Sequence, residues 1–117
     1  MGSVKQSYLY VLSRGYIVYL DFNPTKGHEQ KGHRPALVIS PYAYNEKSSL
    51  ALFMPITKHH KGYPFEVLLP SDLKTYGVIL TDQIKCLDWK DRNVLFVESV
   101  PENVIEEVQA KIEPLIL

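Results

Sequence analysis

Four side chains that can carry charge or move protons stand close together in the chain: His28, Glu29, His33 and Arg34, with Lys26 and Lys31 interleaved. A guanidinium stays charged across the working pH range and grips an oxyanion such as phosphate through two parallel hydrogen bonds. Imidazoles titrate near neutrality and can give or take a proton there. Glu29 is the natural base of the group if Arg34 and a lysine hold it ionised; otherwise it is a structural partner that only orients Arg34. Such a set suits stabilisation of a charged oxyanion with proton transfer beside it. Metal chemistry fits poorly. His28 and His33 lack the i, i+4 spacing of a helical ligand pair, His59 and His60 are adjacent, and the single cysteine, Cys86, leaves no thiolate pair. Neither a metal nor a cofactor is expected.

These residues must be presented by rigid neighbours. The loop that holds them opens on Asn23-Pro24, contains Gly27 and Gly32, and runs into Pro35 and an apolar stretch. Before it, residues 16–22 (YIVYLDF) are β-branched and aromatic, a strand bounded by Gly15 and Asn23-Pro24. After it, 35–40 form a second strand, with Pro35 at the first position, where a missing amide does least harm. Residues 41–48 read as a turn or a single helical turn. Residues 50–57 form an apolar, central strand. A second basic loop, 58–64, carries Lys58, His59, His60 and Lys61. Strands follow over 65–69, 78–80, 84–89 and 94–97, with a turn or short helix at 70–77 and a turn at 90–93. So many short strands suggest a small barrel. From Pro101 the pattern turns helical, with Val104, Ile105, Val108, Ile112 and Leu115 on one stripe. Pro114 should end or kink this helix. Its stripe either packs on the barrel or, as the alternative, meets a partner.

At 117 residues the chain is sized for one domain, 1–117, with 1–12 a partly ordered arm. No apolar run is long enough to span a bilayer, and 8–12 is too short for a secretory core, so a soluble, cytoplasmic protein with no membrane association is expected. Cys86, amid apolar residues, reads as a small buried hydrophobe. The net charge is zero, which taken alone argues against a nucleic-acid partner. The distribution argues otherwise. Between 26 and 61, Lys26, Lys31, Arg34, Lys47, Lys58 and Lys61 face only Glu29 and Glu46, whereas acids dominate from Asp82 onward. A neutral chain can thus own a basic face and an acidic back.

Several stretches in order, 21–30 (DFNPTKGHEQ), 32–38 (GHRPALV), 56–57 (IT), 61–67 (KGYPFEV) and 82–85 (DQIK), resemble the MazF family of bacterial toxins, also called PemK or Kid-like endoribonucleases. The resemblance runs from about Tyr10 to the C-terminus. It implies a mainly β fold with a C-terminal helix, an SH3-like barrel working as a homodimer. It also implies a toxin of a type II toxin–antitoxin pair that cuts single-stranded mRNA without a metal, leaving a 2′,3′-cyclic phosphate and a 5′-hydroxyl. The family's catalytic arginine falls on Arg34, its threonine on Thr57 and its first-loop acid on Glu29. The chain departs from the pattern in its N-terminal arm, at His59-His60 and at Pro114.

On this resemblance Arg34 neutralises the phosphorane and Thr57 donates one hydrogen bond to a phosphate oxygen, although a strand-end threonine is otherwise ordinary. His28 or His33 supplies the leaving-group proton and also lies where RNA would pass. Lys31, Lys58 and Lys61 bind the backbone. Phe22, Tyr63 and Phe65 either stack bases or belong to the core. An acidic antitoxin of the MazE kind would compete for the same cations. Two other functions fit the same fold: a non-catalytic module that holds RNA or a peptide, and a gyrase-directed relative.

Overall fold

The computed structural model describes residues 11–22 and 33–117. Among the described residues seven strands and two helices follow in chain order: β1 (Tyr16–Asp21), β2 (His33–Val38), α1 (Tyr42–Ser48), β3 (Leu50–Thr57), β4 (Glu66–Leu68), β5 (Val78–Leu80), β6 (Lys85–Asp88), β7 (Leu95–Ser99) and α2 (Glu102–Ile116), with a 3-10 turn at Trp89–Asp91. Every pairing is antiparallel. The order is β4-β5-β3-β2-β1-β7, and β3 is long enough to serve two neighbours on one edge. Its first half pairs with β6 and its last two residues with β5. Among the described residues the ladder is open, ending at β4 and β7. This is the expected mainly β fold with a terminal helix.

Strands β1, β2 and β3 are buried on both faces, which explains their nearly continuous apolar sequence. On one face Ile17, Leu37 and Met54 stand in register and pack against Val104, Ile105 and Val108 of α2. On the other, Val18, Leu20, Ala36, Val38 and Phe53 meet Leu12, Trp89 and Val94. The stripe on α2 therefore packs on the sheet, except that Leu115 is half exposed. Pro114 does not end α2. It lies in the last turn, where few backbone bonds remain to be lost, and the Leu117 amide still donates to the Glu113 carbonyl at 2.8 Å.

Several boundaries differ from expectation for local reasons. β2 begins at His33, because β1 pairs past the proline (Leu20 with Arg34, Asp21 with His33). Residues 42–48 form a full helix, α1, stopped by Ser49 in a left-handed conformation at φ +63°. Asn45 of α1 is buried and fully used: its side-chain amide donates to the Leu12 and Ser40 carbonyls, its Oδ1 accepts from the Ser40 hydroxyl, and its backbone carbonyl accepts from the Trp89 indole. At 70–77 the chain takes the turn, one of the two forms expected there. Cys86 is exposed, with its sulfur 3.7 Å from the Tyr44 hydroxyl, because β6 is an edge strand.

Candidate active site

The ladder between β2 and β3 runs Val38 to Phe53, Leu37 to Met54 and Ala36 to Pro55, and stops there. Pro55 and Pro35 lack amide hydrogens, so further rungs cannot form in the usual way. Carrying the register outward sets Arg34 opposite Thr57 on the same face of the sheet. Both line one cleft of about 300 Å³, together with His59 and Lys61 of the second basic loop. Two residues distant in sequence are thus neighbours at the frayed end of a strand pair.

Arg34 is exposed at this rim, and its guanidinium carbon lies 5.6 Å from the centre of the Phe22 ring. That ring is a platform for the cation. Phe22 itself is 6% exposed and belongs to the core, one of the two places expected for it. The Thr57 hydroxyl oxygen accepts a hydrogen bond from the His59 amide at 3.1 Å. With that lone pair occupied, its own hydrogen is free to point into the cleft.

The second basic loop is fastened from beneath by Glu66, the first residue of β4. Its carboxylate accepts from the Lys61 amide at 3.1 Å and the Gly62 amide at 2.9 Å, and its Oε1 lies 3.1 Å from His60 Nδ1. Burial alone would push this carboxyl up. The two amides and His60 outweigh burial and hold it below the usual carboxylate range. Glu66, Tyr63, Phe65, Asp82 and Gln83 also line the cleft. Tyr63 is exposed, with the Lys61 ammonium 5.9 Å from its ring centre.

Of the residues singled out by sequence, Arg34, Thr57 and Lys61 are brought together. Lys58 lies instead in an adjoining cleft. His33 stands on the opposite face of β2 from Arg34, its ring packed edge-on to Tyr19 at 5.3 Å, because side chains alternate along a strand. His59 is the described histidine that shares Arg34's cleft. Glu29, His28 and Lys31 lie outside the described residues. Among the described residues no three His, Cys, Asp or Glu side chains gather to hold a metal ion. Sequence reasoning gave no role to Glu66, Asp82 or Gln83. The available signals were a charged residue at a strand position amid apolar neighbours, and a polar break between two strands.

Comparisons with known proteins bear on the family and the fold. Residues 13–116 match the family described as PemK-like, MazF-like toxin of type II toxin–antitoxin systems. The chain belongs to that family. It is 45% identical to the endoribonuclease toxin MazF of Escherichia coli K12, over 92% of this chain and 96% of that one, and 33% identical to the Escherichia coli endoribonuclease PemK, over 90% and 82%. Among solved structures, MazF from Deinococcus radiodurans superposes with a TM-score of 0.82 at 46% identity, covering 92% of this chain and 97% of that one. A MazE–MazF complex from the same organism gives 0.80 at 41%, covering 92% and 96%. Among the described residues no helix is long and apolar enough to cross a membrane.

Proposed function

We propose that this toxin is a metal-independent endoribonuclease that cuts single-stranded RNA by attack of the ribose 2′-hydroxyl on the adjacent phosphate. The observation that carries the reading is that Arg34 and Thr57 line one cleft, with His59 and Lys61 beside them. Relatives named as endoribonucleases, at up to 45% identity over nearly the whole chain, support it over a non-catalytic module or a gyrase-directed relative.

In this mechanism the 2′-oxygen forms a bond to phosphorus, the bond to the 5′-oxygen breaks, and the products are a 2′,3′-cyclic phosphate and a 5′-hydroxyl. Arg34 offers two parallel hydrogen bonds to the non-bridging oxygens as negative charge builds on them, and Phe22 holds its plane. Thr57 donates one further hydrogen bond. Glu29 either takes the 2′-proton or orients Arg34. His59, which lines the same cleft, gives a proton to the leaving oxygen. Lys61 holds backbone phosphate near Tyr63.

The partner side of the reading is an acidic, extended antitoxin of the MazE kind competing for these cations, and a homodimer as the working form in the cytoplasm. MazE–MazF complexes among the structural neighbours support the first.

The test is a single substitution in the substrate. Deoxyribose 5′ to the cut removes the nucleophile and leaves the phosphates, so binding should persist while cleavage stops. Cutting of the all-ribose strand should survive excess EDTA. Cleavage of the deoxy-substituted strand at the same bond would mean that water attacks, and would overturn the mechanism.

A further inference from the structure

Phe22, the ring on which Arg34 rests, lies one residue past the last rung of the β1–β2 ladder, Asp21 with His33. At the open end of a strand pair the backbone is held by whatever else takes up its polar groups. Here that is Arg92, in the turn between β6 and β7. Its Nη1 donates to the Phe22 carbonyl at 2.8 Å and to the Asp21 carbonyl at 3.0 Å, and its own carbonyl accepts from the Asp21 amide at 3.1 Å. The exit of β1 is thus gripped by both the side chain and the backbone of one arginine.

Arg92 is itself firmly held. It follows the 3-10 turn at Trp89–Asp91, which Asp88 caps by accepting from the Lys90 amide at 3.1 Å. Trp89 before it and Val94 after it are buried in the same cluster as Phe22, and the Trp89 indole donates to the Asn45 carbonyl at 3.1 Å. Asn93, next to Arg92, takes the left-handed conformation at φ +52°, which asparagine adopts more readily than most residues. The clamp is therefore anchored in the core on both sides. The guanidinium of Arg34, by contrast, is exposed at the cleft rim. A free arginine side chain has many rotamers, whereas two parallel hydrogen bonds to phosphate need one orientation of its plane. The Phe22 ring selects an orientation, and Arg92 fixes where that ring stands.

We propose that Arg92 is a positioning residue of the RNA-cleaving site: by clamping the Asp21 and Phe22 carbonyls it sets the ring that aims Arg34 at the phosphate. The proposal rests on the reading of the chain as an endoribonuclease. Arg92 acts through Arg34 and touches no reacting atom, so its effect falls on kcat. One nitrogen makes both side-chain contacts, and a lysine ammonium, with three donors, can replace it. The phosphate contact of Arg34 has no such substitute, because it uses two parallel donors.

The experiment is a double-mutant cycle of Arg92→Ala with Arg34→Ala in the full-length protein, with kcat and KM measured on one defined all-ribose strand and the folded fraction of each variant taken from thermal unfolding. With Arg34 present, Arg92→Ala should lower kcat about 10- to 100-fold, the loss that follows misplacement of a reacting group by about 1 Å, and should leave KM nearly unchanged. In the Arg34→Ala background the same substitution should cost no more than about twofold, since no guanidinium remains to be aimed. An arginine that only stabilises the fold would lower activity by the same factor in both backgrounds, and equal factors overturn the proposal. Arg92→Lys should recover most of kcat; a lysine variant no better than alanine overturns it as well. So does a salt dependence of log affinity, for an uncleavable deoxy-substituted strand, that Arg92→Ala makes shallower by about 0.7, because Arg92 would then be a phosphate contact in its own right. Where the alanine variant does not fold, Arg92→Met keeps the apolar stem, removes the donors and takes its place in the cycle. Failure of the endoribonuclease reading would show separately, as a wild-type protein that leaves the all-ribose strand uncut.

Discussion

Replacing Gly77 with alanine tests whether the catalytic threonine is positioned by the chain that crosses behind it. Two costs combine. The backbone at Gly77 has φ +135°, a region that side chains rarely adopt. An added Cβ would also fall inside contact distance of the Thr57 carbonyl oxygen, and 2.9 Å from its carbon. Gly62, in the second basic loop, separates the two effects. It too has a positive φ, +80°, but an added Cβ there meets nothing within 4 Å. Gly62→Ala should therefore cost about 1–2 kcal/mol, the backbone penalty alone. Gly77→Ala adds an overlap worth about 1–3 kcal/mol against atoms held in a strand ladder by the Thr57–Val78 pairing. A total near 3 kcal/mol or more corresponds to a fall in Tm of about 10–20 °C for a chain of this size. Because the overlap is relieved by moving Thr57, the protein that remains folded at 25 °C should also cut RNA about tenfold more slowly, as expected when a reacting group is displaced by less than an ångström. Thermal unfolding by circular dichroism and cleavage of one defined RNA measure the two effects. Equal Tm losses in the two variants, or a Gly77→Ala protein as stable and active as wild type, would refute the account.

Three further outcomes are expected. Arg34→Ala should lower cleavage by about 10²–10³-fold, the usual loss for one charge-stabilising donor, with little change in unfolding because the side chain is exposed; Arg34→Lys should recover only part, since an ammonium cannot make the two parallel bonds. Thr57→Ala should cost at least about tenfold, and wild-type turnover by folded protein carrying either alanine would remove that residue from the mechanism. Stability should fall on acidification through the carboxylates of Glu66 and Glu98. For Glu98, burial acts to raise its pKa, but the Lys74 and Thr75 amides, the Thr75 hydroxyl and the Lys74 charge together lower it. Both groups thus have folded values below the unfolded carboxylate value of about 4.3. Their contribution is complete above that unfolded value and is lost as pH falls through the folded ones, because the unfolded state then binds more protons. A Glu66→Gln, Glu98→Gln double variant should show a shallower acid limb in urea unfolding, and an unchanged limb would count against both clasps.

Much of this molecule is set by the sequence alone, where short-range chemistry decides. Strand β3 has the predicted bounds, Leu50–Thr57, because a short, nearly continuous apolar run between polar turns is what a strand buried on both faces requires. The apolar stripe of α2 likewise follows from helical spacing, and the ordered motifs around Arg34 and Thr57 were sufficient for the family. Where the site residues stand was decided by pairing between segments far apart in the chain. The β2–β3 register sets Arg34 opposite Thr57, while the alternation of the same strand turns His33 to the other face and leaves His59 in the cleft. Phe22 changed from a possible base platform to the support of Arg34 only when β1 and β2 came together. Glu66 beneath the second basic loop, Glu98 beneath 74–75 and the approach of Gly77 to Thr57 could not be read from spacing, because each satisfies backbone groups that only the folded chain brings within reach.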